Sequence, residues 1–373
     1  MPVSRADESV LGRWWWSVDR VTLGAIGLLF AFGFVLALAA ASSAAHRLGA
    51  RDHMMLGKQI VFLALGGAVL LGISLLSPRE IRRLALIGGA VALALTAATL
   101  VSGVEVLGAR RWVRIAGVPI QPSEFLKPCF TVVTAWLLAE QRRVRGFPGA
   151  WIVGALYLVI VLLLKKQPDV GMTAVITAVL FAQLFVYGIN AVWVGIGMLA
   201  MTALAAGAYF MFSHVQMRVA EFLHAKGPQN YQIHTALQAF GNGGLFGRGP
   251  GEGRVKNLLP DAYADFIFAV AGEEYGLIVC AALVLAFAFV VIRGLLRLLR
   301  ETDTFISLAC AGLLASFGLQ AFVNMGTALK LIPTKGMTLP FISYGGSSVL
   351  ASALEVGMLL ALSRRRGGGE AAS

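Results

Sequence analysis

Apolar runs alternate with short polar links along almost the whole chain, near 21–45, 59–77, 83–101, 123–139, 150–164, 170–187, 191–212, 266–292, 304–329 and 346–363. A bilayer core takes roughly 20 apolar residues per helix, and its interior leaves backbone polar groups nothing but each other to bond. The pattern therefore predicts an all-α, polytopic integral membrane protein of ten transmembrane helices. Most links are short. Two on the same side are long: Gly103 to Ser123 can fold over the bundle, and 213–265 is a large outer loop between the seventh and eighth helices, beyond what connection requires.

Composition supports this class. Hydrophobic residues make up 58% of 373 and charged residues 13%, which excludes an ordinary water-soluble globular domain. The net charge of +12 does not point to nucleic acid, because the arginines form small clusters at helix ends and not a stripe with interleaved aromatics. Arg79, Arg82 and Arg83, then Arg142, Arg143 and Arg145, then Arg293, Arg297 and Arg300, and finally Arg364 to Arg366 fall in alternate links. With Arg5, Arg13 and Arg20 they predict cytoplasmic N and C termini. The expected organisation is one transmembrane domain over 1–373, with a cytoplasmic leader at 1–20, the periplasmic loop at 213–265 and a cytoplasmic tail at 364–373. The first apolar run is too long for a cleavable signal and is expected to be an uncleaved anchor. Trp14, Trp15 and Trp16 read as an interfacial belt. Cys129, Cys280 and Cys310 read as core thiols. The five histidines match no metal motif, and no phosphate-binding G-x-x-x-x-G-K-[ST] is present.

The polar residues that a membrane chain should avoid cluster at the outer ends of the helices. In GARRWVRIAGVPIQPSEFLKP, Pro122 suits a first helical turn, which sets Glu124 and Lys127 three residues apart on one face, able to pair. A lone charge at mid-bilayer costs roughly 2.5 to 3.5 kcal/mol. The pair is either a staple between helices or part of a cationic pocket in which Arg110, Arg111 and Arg114 fork phosphate oxygens. Asp169 and Gly171 in KKQPDVGMT form a turn signature that also adds Lys165 and Lys166 to this face. Seven glycines between Gly241 and Gly253 describe a loop able to present backbone N–H groups to an anion, next to a re-entrant or surface-lying segment at His234–Phe240.

In LPDAYADFIFAVAGEEYG, Pro260 predicts a helix start that puts Asp261 and Asp265 on one face of the first turn, at the membrane lip. Such aspartates are caps, or else a coupled pair whose titrations are pushed apart so that one can take a proton from a hydroxyl. Glu273, deeper in the same helix, needs a wet cavity or a buried partner, while Glu274 points elsewhere. Glu355 in the last helix has no assigned role. The segment NMGTALKLIPTKGMTLPFISYGGSS, with Lys335, Pro340, Ser343 and a glycine pair, breaks the helix at membrane depth, which survives only where protein buries it or a cavity wets it.

Five of these segments in this order resemble the motifs of the SEDS family (shape, elongation, division and sporulation), the ten-helix peptidoglycan glycosyltransferases. They are GARRWVRIAGVPIQPSEFLKP, QPDVG, GNGGLFGRG, ADFIFAVAGEEYG and PTKGMTLPFISYGGSS, and the likeness runs from Val21 to Arg366. Asn242 stands where the family usually has serine, and Tyr263-Ala264 where it usually has His-Thr. The resemblance implies polymerisation of lipid II on the outer face of the cytoplasmic membrane, with Asp265 as the essential carboxylate. Glu124, Lys127 and Lys335 would be the charged residues of the cavity, assisted by Arg110, Arg111, Asp169 and Ser343. It also implies a class B penicillin-binding transpeptidase of the FtsI type and other division proteins as partners, beside membrane lipid. The run GEGRVKNLLPDAYADF is more similar to the division-associated FtsW branch than to the elongation-associated RodA branch. A lipid II flippase is the alternative activity, and a division scaffold a third role. No all-protein metal site is evident, although Asp261, Asp265 and a pyrophosphate offer oxygen ligands to Mg²⁺ or Mn²⁺.

Overall fold

The computed structural model describes residues 9–373 apart from 45–49, 107–108, 116, most of 191–227, 260, 334–335 and 365–373. Eleven helices are defined among the described residues: α1 (Val10–Ser17), α2 (Arg20–Ala44), α3 (Ala50–Ser74), α4 (Pro78–Ser102), α5 (Pro122–Arg143), α6 (Gly149–Lys166), α7 (Val170–Tyr187), α8 (Pro228–Gly243), α9 (Ile267–Leu298), α10 (Thr304–Ala328) and α11 (Gly346–Leu362). Nine of them coincide with predicted spans, and the tenth, 191–212, lies mostly outside the described residues. Seven are long and apolar enough to cross a membrane. The more polar α5 and the 17-residue α11 join them in the bundle.

Local sequence explains where the helices begin. Ser77 caps α4 in a reciprocal box with Glu80, and Pro78 occupies the first turn. Asp169 and Asp303 accept N–H bonds at the starts of α7 and α10. The most buried helices among those described, α5, α10 and α11, carry polar side chains such as Lys127, Gln320 and Glu355 in their buried parts, and α4 and α6 turn large apolar side chains such as Ile87 and Leu158 outward. That arrangement places the polar atoms against protein and leaves lipid to the apolar helices.

The link after α4 folds into a small antiparallel sheet, β1 (Val104–Val106), β2 (Ala109–Ile115) and β3 (Val118–Ile120), with Val113 opposite Ile120. It covers the ends of α4 and α5. This defines the sheet end of the bundle; the arginine clusters lie at the other. There α1, which the pattern did not anticipate, packs Trp14 inward, its Nε1 donating to Ser74 Oγ at 3.0 Å. The expected tryptophan belt therefore reduces to Trp15 and Trp16, with the Arg20 guanidinium 4.8 and 4.2 Å from their rings. Cys129, Cys280 and Cys310 are buried free thiols.

Helix α9 is broken. Gly276 has φ 83° and ψ 178° inside it, a conformation that belongs to glycine. The glycine-rich loop after α8 docks on the break: Leu277 N donates to Gly244 O at 2.9 Å, Arg248 N to Glu273 O at 3.0 Å and Gly249 N to Glu274 O at 3.0 Å. A side chain at 276 would run into the backbone of Leu245 and Gly247, whereas one at Gly244 (φ 59°) meets open space. Gly276→Ala is therefore expected to destabilise the protein by at least about 2 kcal/mol more than Gly244→Ala, whose cost is about 1 kcal/mol. Thermal unfolding of the two variants in detergent, compared with wild type, checks this order.

Candidate active site

Asp265 does not lie on a helix. The helix expected from Pro260 begins only at Ile267, and 261–266 is a compact turn in which Asp261 takes φ 51° and accepts the backbone N–H groups of Ala264 and Asp265, each at 3.0 Å. The physical reason is the left-handed Asp261, a conformation a continuing helix cannot contain. Asp261 is exposed and Asp265 half-buried. Burial first, and the negative charge of Asp261 second, push the Asp265 carboxyl up to about 6. At neutral pH it is still an anion, but a far more basic one than an ordinary aspartate.

Two elements fix this turn. Ser343 Oγ donates to Ala264 O at 2.5 Å while accepting Leu339 N at 2.7 Å, and Tyr344 N donates to Tyr263 O at 2.7 Å. Asn324 of α10 donates from Nδ2 to Asp265 O at 3.0 Å and to Met337 O at 2.6 Å. The carboxylate faces the last broken segment: a Cβ on Gly336 would stand 3.4 Å from Asp265 Oδ2. Lys335, the residue before Gly336, lies outside the described residues. Ser343 is 1% exposed, and both contacts of its hydroxyl are spent on positioning the turn.

Glu124 and Lys127 meet as their spacing requires, Nζ to Oε2 at 3.5 Å, and Lys127 also pairs with Glu355 of α11 at 3.8 Å and with Gln320 of α10. Lys127 is 2% exposed and Glu355 1%. One ammonium thus binds three helices, and the two carboxylates are retained at depth because it lies between them. Gln320 Nε2 continues to Thr338 O at 3.1 Å, so Lys127 and Asp265 are both tied to the irregular 336–339 segment, at the adjacent residues Thr338 and Met337.

The arginines separate. Arg111 clamps the turn between α6 and α7, donating to Gln167 O at 3.1 Å and Pro168 O at 2.6 Å and lying 3.8 Å from Asp169 Oδ1. Asp169 caps α7 through Met172 N at 3.1 Å and accepts from Gln121 at 3.4 Å, so the turn reading describes its contacts. Arg110 is exposed beside Glu105 at 3.2 Å, and Arg114 is exposed on the same strand.

Glu273 has its partner inside the protein. Its carboxylate accepts three successive backbone N–H groups, from Arg254 and Val255 at 2.9 Å and Lys256 at 3.0 Å, and Glu274 pairs with Lys256 Nζ. The N–H groups that cradle this anion are those of the 254–256 segment that follows the glycines, at the start of a short 3-10 helix (Val255–Leu258), and not those of the glycines themselves. Sequence reasoning passed over Gln320 and left Glu355 and Asn324 without a role. The signal that marks them is a polar side chain in an apolar run, a rarity that a bilayer makes informative.

The fold and these contacts define a polytopic membrane protein whose reactive groups gather at the sheet end around one basic carboxylate. Residues 19–367 match the Cell cycle protein family FTSW_RODA_SPOVE. A Caulobacter vibrioides protein named probable peptidoglycan glycosyltransferase FtsW is 45% identical, over 99% of this chain and 95% of that one. The Mycobacterium leprae peptidoglycan glycosyltransferase RodA is 31% identical over 92% and 77%. Among solved structures, a chain from a peptidoglycan synthase complex that coordinates polymerization and crosslinking superposes with a TM-score of 0.78 at 27% identity, covering 94% and 98%. Thermus thermophilus rod shape determining protein RodA gives 0.68 at 27%, covering 94% and 97%. The chain belongs to the FtsW/RodA/SpoVE family, as its motifs indicated.

Removing the shared cation tests the buried network. Lys127→Met strands two carboxylates and is expected to cost about 3 to 5 kcal/mol, whereas Lys127→Met with Glu355→Gln recovers part of that loss. Detergent-phase thermal unfolding of the single and double variants measures the coupling.

Proposed function

We propose that this protein is a peptidoglycan glycosyltransferase that polymerises lipid II at the outer face of the cytoplasmic membrane, in the septal, FtsW-type branch, with its termini in the cytoplasm. The observation that carries the proposal is Asp265: a half-buried carboxylate whose pKa is raised to about 6, in a turn held by contacts to its own backbone and that of its neighbours, with its Oδ2 facing the Gly336 segment. A base of that strength is matched to removing a hydroxyl proton near neutral pH.

In the reaction, the 4-hydroxyl of an acceptor lipid II sugar attacks the anomeric carbon of the donor glycan. Asp265 takes the hydroxyl proton, the new glycosidic C–O bond forms, and the bond to the donor's polyprenyl pyrophosphate breaks. The leaving pyrophosphate gathers negative charge, which fixed cations at the sheet end stabilise. Arg110, beside Glu105, and Arg114 are exposed guanidinium groups on the sheet, and Lys335 follows from its place beside Gly336. Arg111 and Asp169 shape the rim, Glu124 and Lys127 form the floor of the cavity, and Ser343 holds the base in position. The deep carboxylates Glu273 and Glu355 are committed to backbone N–H groups and to Lys127, so they do not form a track for carrying a headgroup across the bilayer, which favours polymerisation over transport.

No cluster of three or more His, Cys, Asp or Glu occurs among the described residues. Mg²⁺ or Mn²⁺ bound between phosphates takes only one or two carboxylates from the protein, a number that Asp261 and Asp265 satisfy. Such an ion supplies charge neutralisation to the pyrophosphate. The partner in this reading is a class B penicillin-binding transpeptidase, supported by the likeness to a chain of a synthase complex. Asp265→Asn is expected to abolish polymer formation from purified lipid II, with the transpeptidase present and the unfolding temperature unchanged. Full polymer yield from that variant would reject the assignment.

A further inference from the structure

At the arginine-rich end, far from the candidate active site, α1, the start of α2 and the last turns of α9 enclose an open groove of about 1200 Å³. Its wall toward the bilayer is apolar and outward-facing: Phe289 is 43% exposed, Ile292 56% and Leu296 60%. Its rim carries Arg20, Arg293, Arg297 and Arg300, against one carboxylate, Asp19. Asp19 accepts from Arg293 at 2.8 and 2.9 Å and pairs with Arg297 at 2.6 Å. Burial alone would raise its pKa, but these bonds and that of Thr22 hold it well below the ordinary carboxylate range, so it stays ionised and fixes both guanidinium groups in place.

One anion among four guanidinium groups leaves the rim with a net positive charge of three. Arg20 and Arg300 are exposed, and Arg20 lies over the rings of Trp15 and Trp16. Arg20 begins one membrane-crossing helix, Arg297 lies in the last turn of another and Arg300 just beyond its end, so the rim sits at the depth of lipid headgroups. Tryptophan and arginine together are the side chains suited to that depth, and a basic pocket between helices above exposed apolar walls suits a phosphate with acyl chains attached.

We propose that this groove binds an anionic phospholipid, its phosphate held by Arg20, Arg300 and the outward edges of Arg293 and Arg297, and its acyl chains lying on Phe289, Ile292 and Leu296. The occupant is a lipid and not a soluble phosphate compound, because the apolar wall continues toward the bilayer.

Native mass spectrometry of the delipidated full-length protein, titrated with phosphatidylglycerol or with phosphatidylcholine of the same chains, tests the proposal. Wild type is expected to retain phosphatidylglycerol preferentially. Arg20→Gln with Arg300→Gln should reduce that preference by at least about fivefold, and Arg79→Gln with Arg83→Gln, at the same end but outside the groove, should leave it unchanged. Excess inorganic phosphate should not displace the lipid. Equal retention of the two lipids by wild type, or an equal loss in both double variants, would overturn the site. Displacement by inorganic phosphate would overturn the lipid as its ligand.

Discussion

Three backbone N–H groups on one buried carboxylate organise the sheet end of this molecule. Glu273 is completely buried, and a carboxylate at that depth is tolerable only if its charge is met. Arg254, Val255 and Lys256 meet it, and in doing so they fold the glycine-rich loop onto the break in α9 at Gly276. The chain leaves this anchor and reaches Asp265 nine residues after Lys256. With Ser343 and Asn324 holding the far end, the turn that carries the base is fixed on both sides. A broken helix thus becomes a rigid support, since the loop bonds the backbone groups that the break exposes.

The second buried network serves the same economy differently. Lys127 balances one carboxylate from its own helix, Glu124, and one from α11, Glu355, and reaches the 336–339 segment through Gln320. Asn324, one turn further along α10, reaches that segment and the Asp265 backbone. Residues scattered over more than two hundred positions therefore bear on one outer mouth, and α10 is the helix that couples them.

Much of this was legible in the chain. The spans were readable because lipid rewards long apolar runs, and the starts of α5 and α7 because Pro122 suits a first turn and Asp169 marks a turn; α4 starts at Pro78, earlier than the apolar run near 83 suggested, because Ser77 caps it. The Glu124–Lys127 pair followed from a spacing of three. What failed depended on tertiary contact. Pro260 suggested a helix that the left-handed Asp261 forbids, and nothing local distinguishes an aspartate that caps from one that turns the chain. The glycines suggested an N–H nest, but the nest lies just after them, at Arg254, Val255 and Lys256, and its anion is Glu273, about twenty residues downstream. The hydrogen bonds of Arg111 and Ser343 to the turns at Gln167–Pro168 and at Ala264 join segments far apart in the chain and had no local signal.

The central claim is that a carboxylate made basic by burial and by Asp261 does the proton transfer, and the acid limb of the pH–rate profile tests it most directly. The group is active as an anion, so polymerisation of lipid II should fall as pH drops through about 6. Asp261→Asn removes one of the two causes of the raised pKa and should move that limb to lower pH while the protein remains folded. A rate that stays level from pH 7 to pH 5, or a limb that Asp261→Asn leaves in place, would contradict the account.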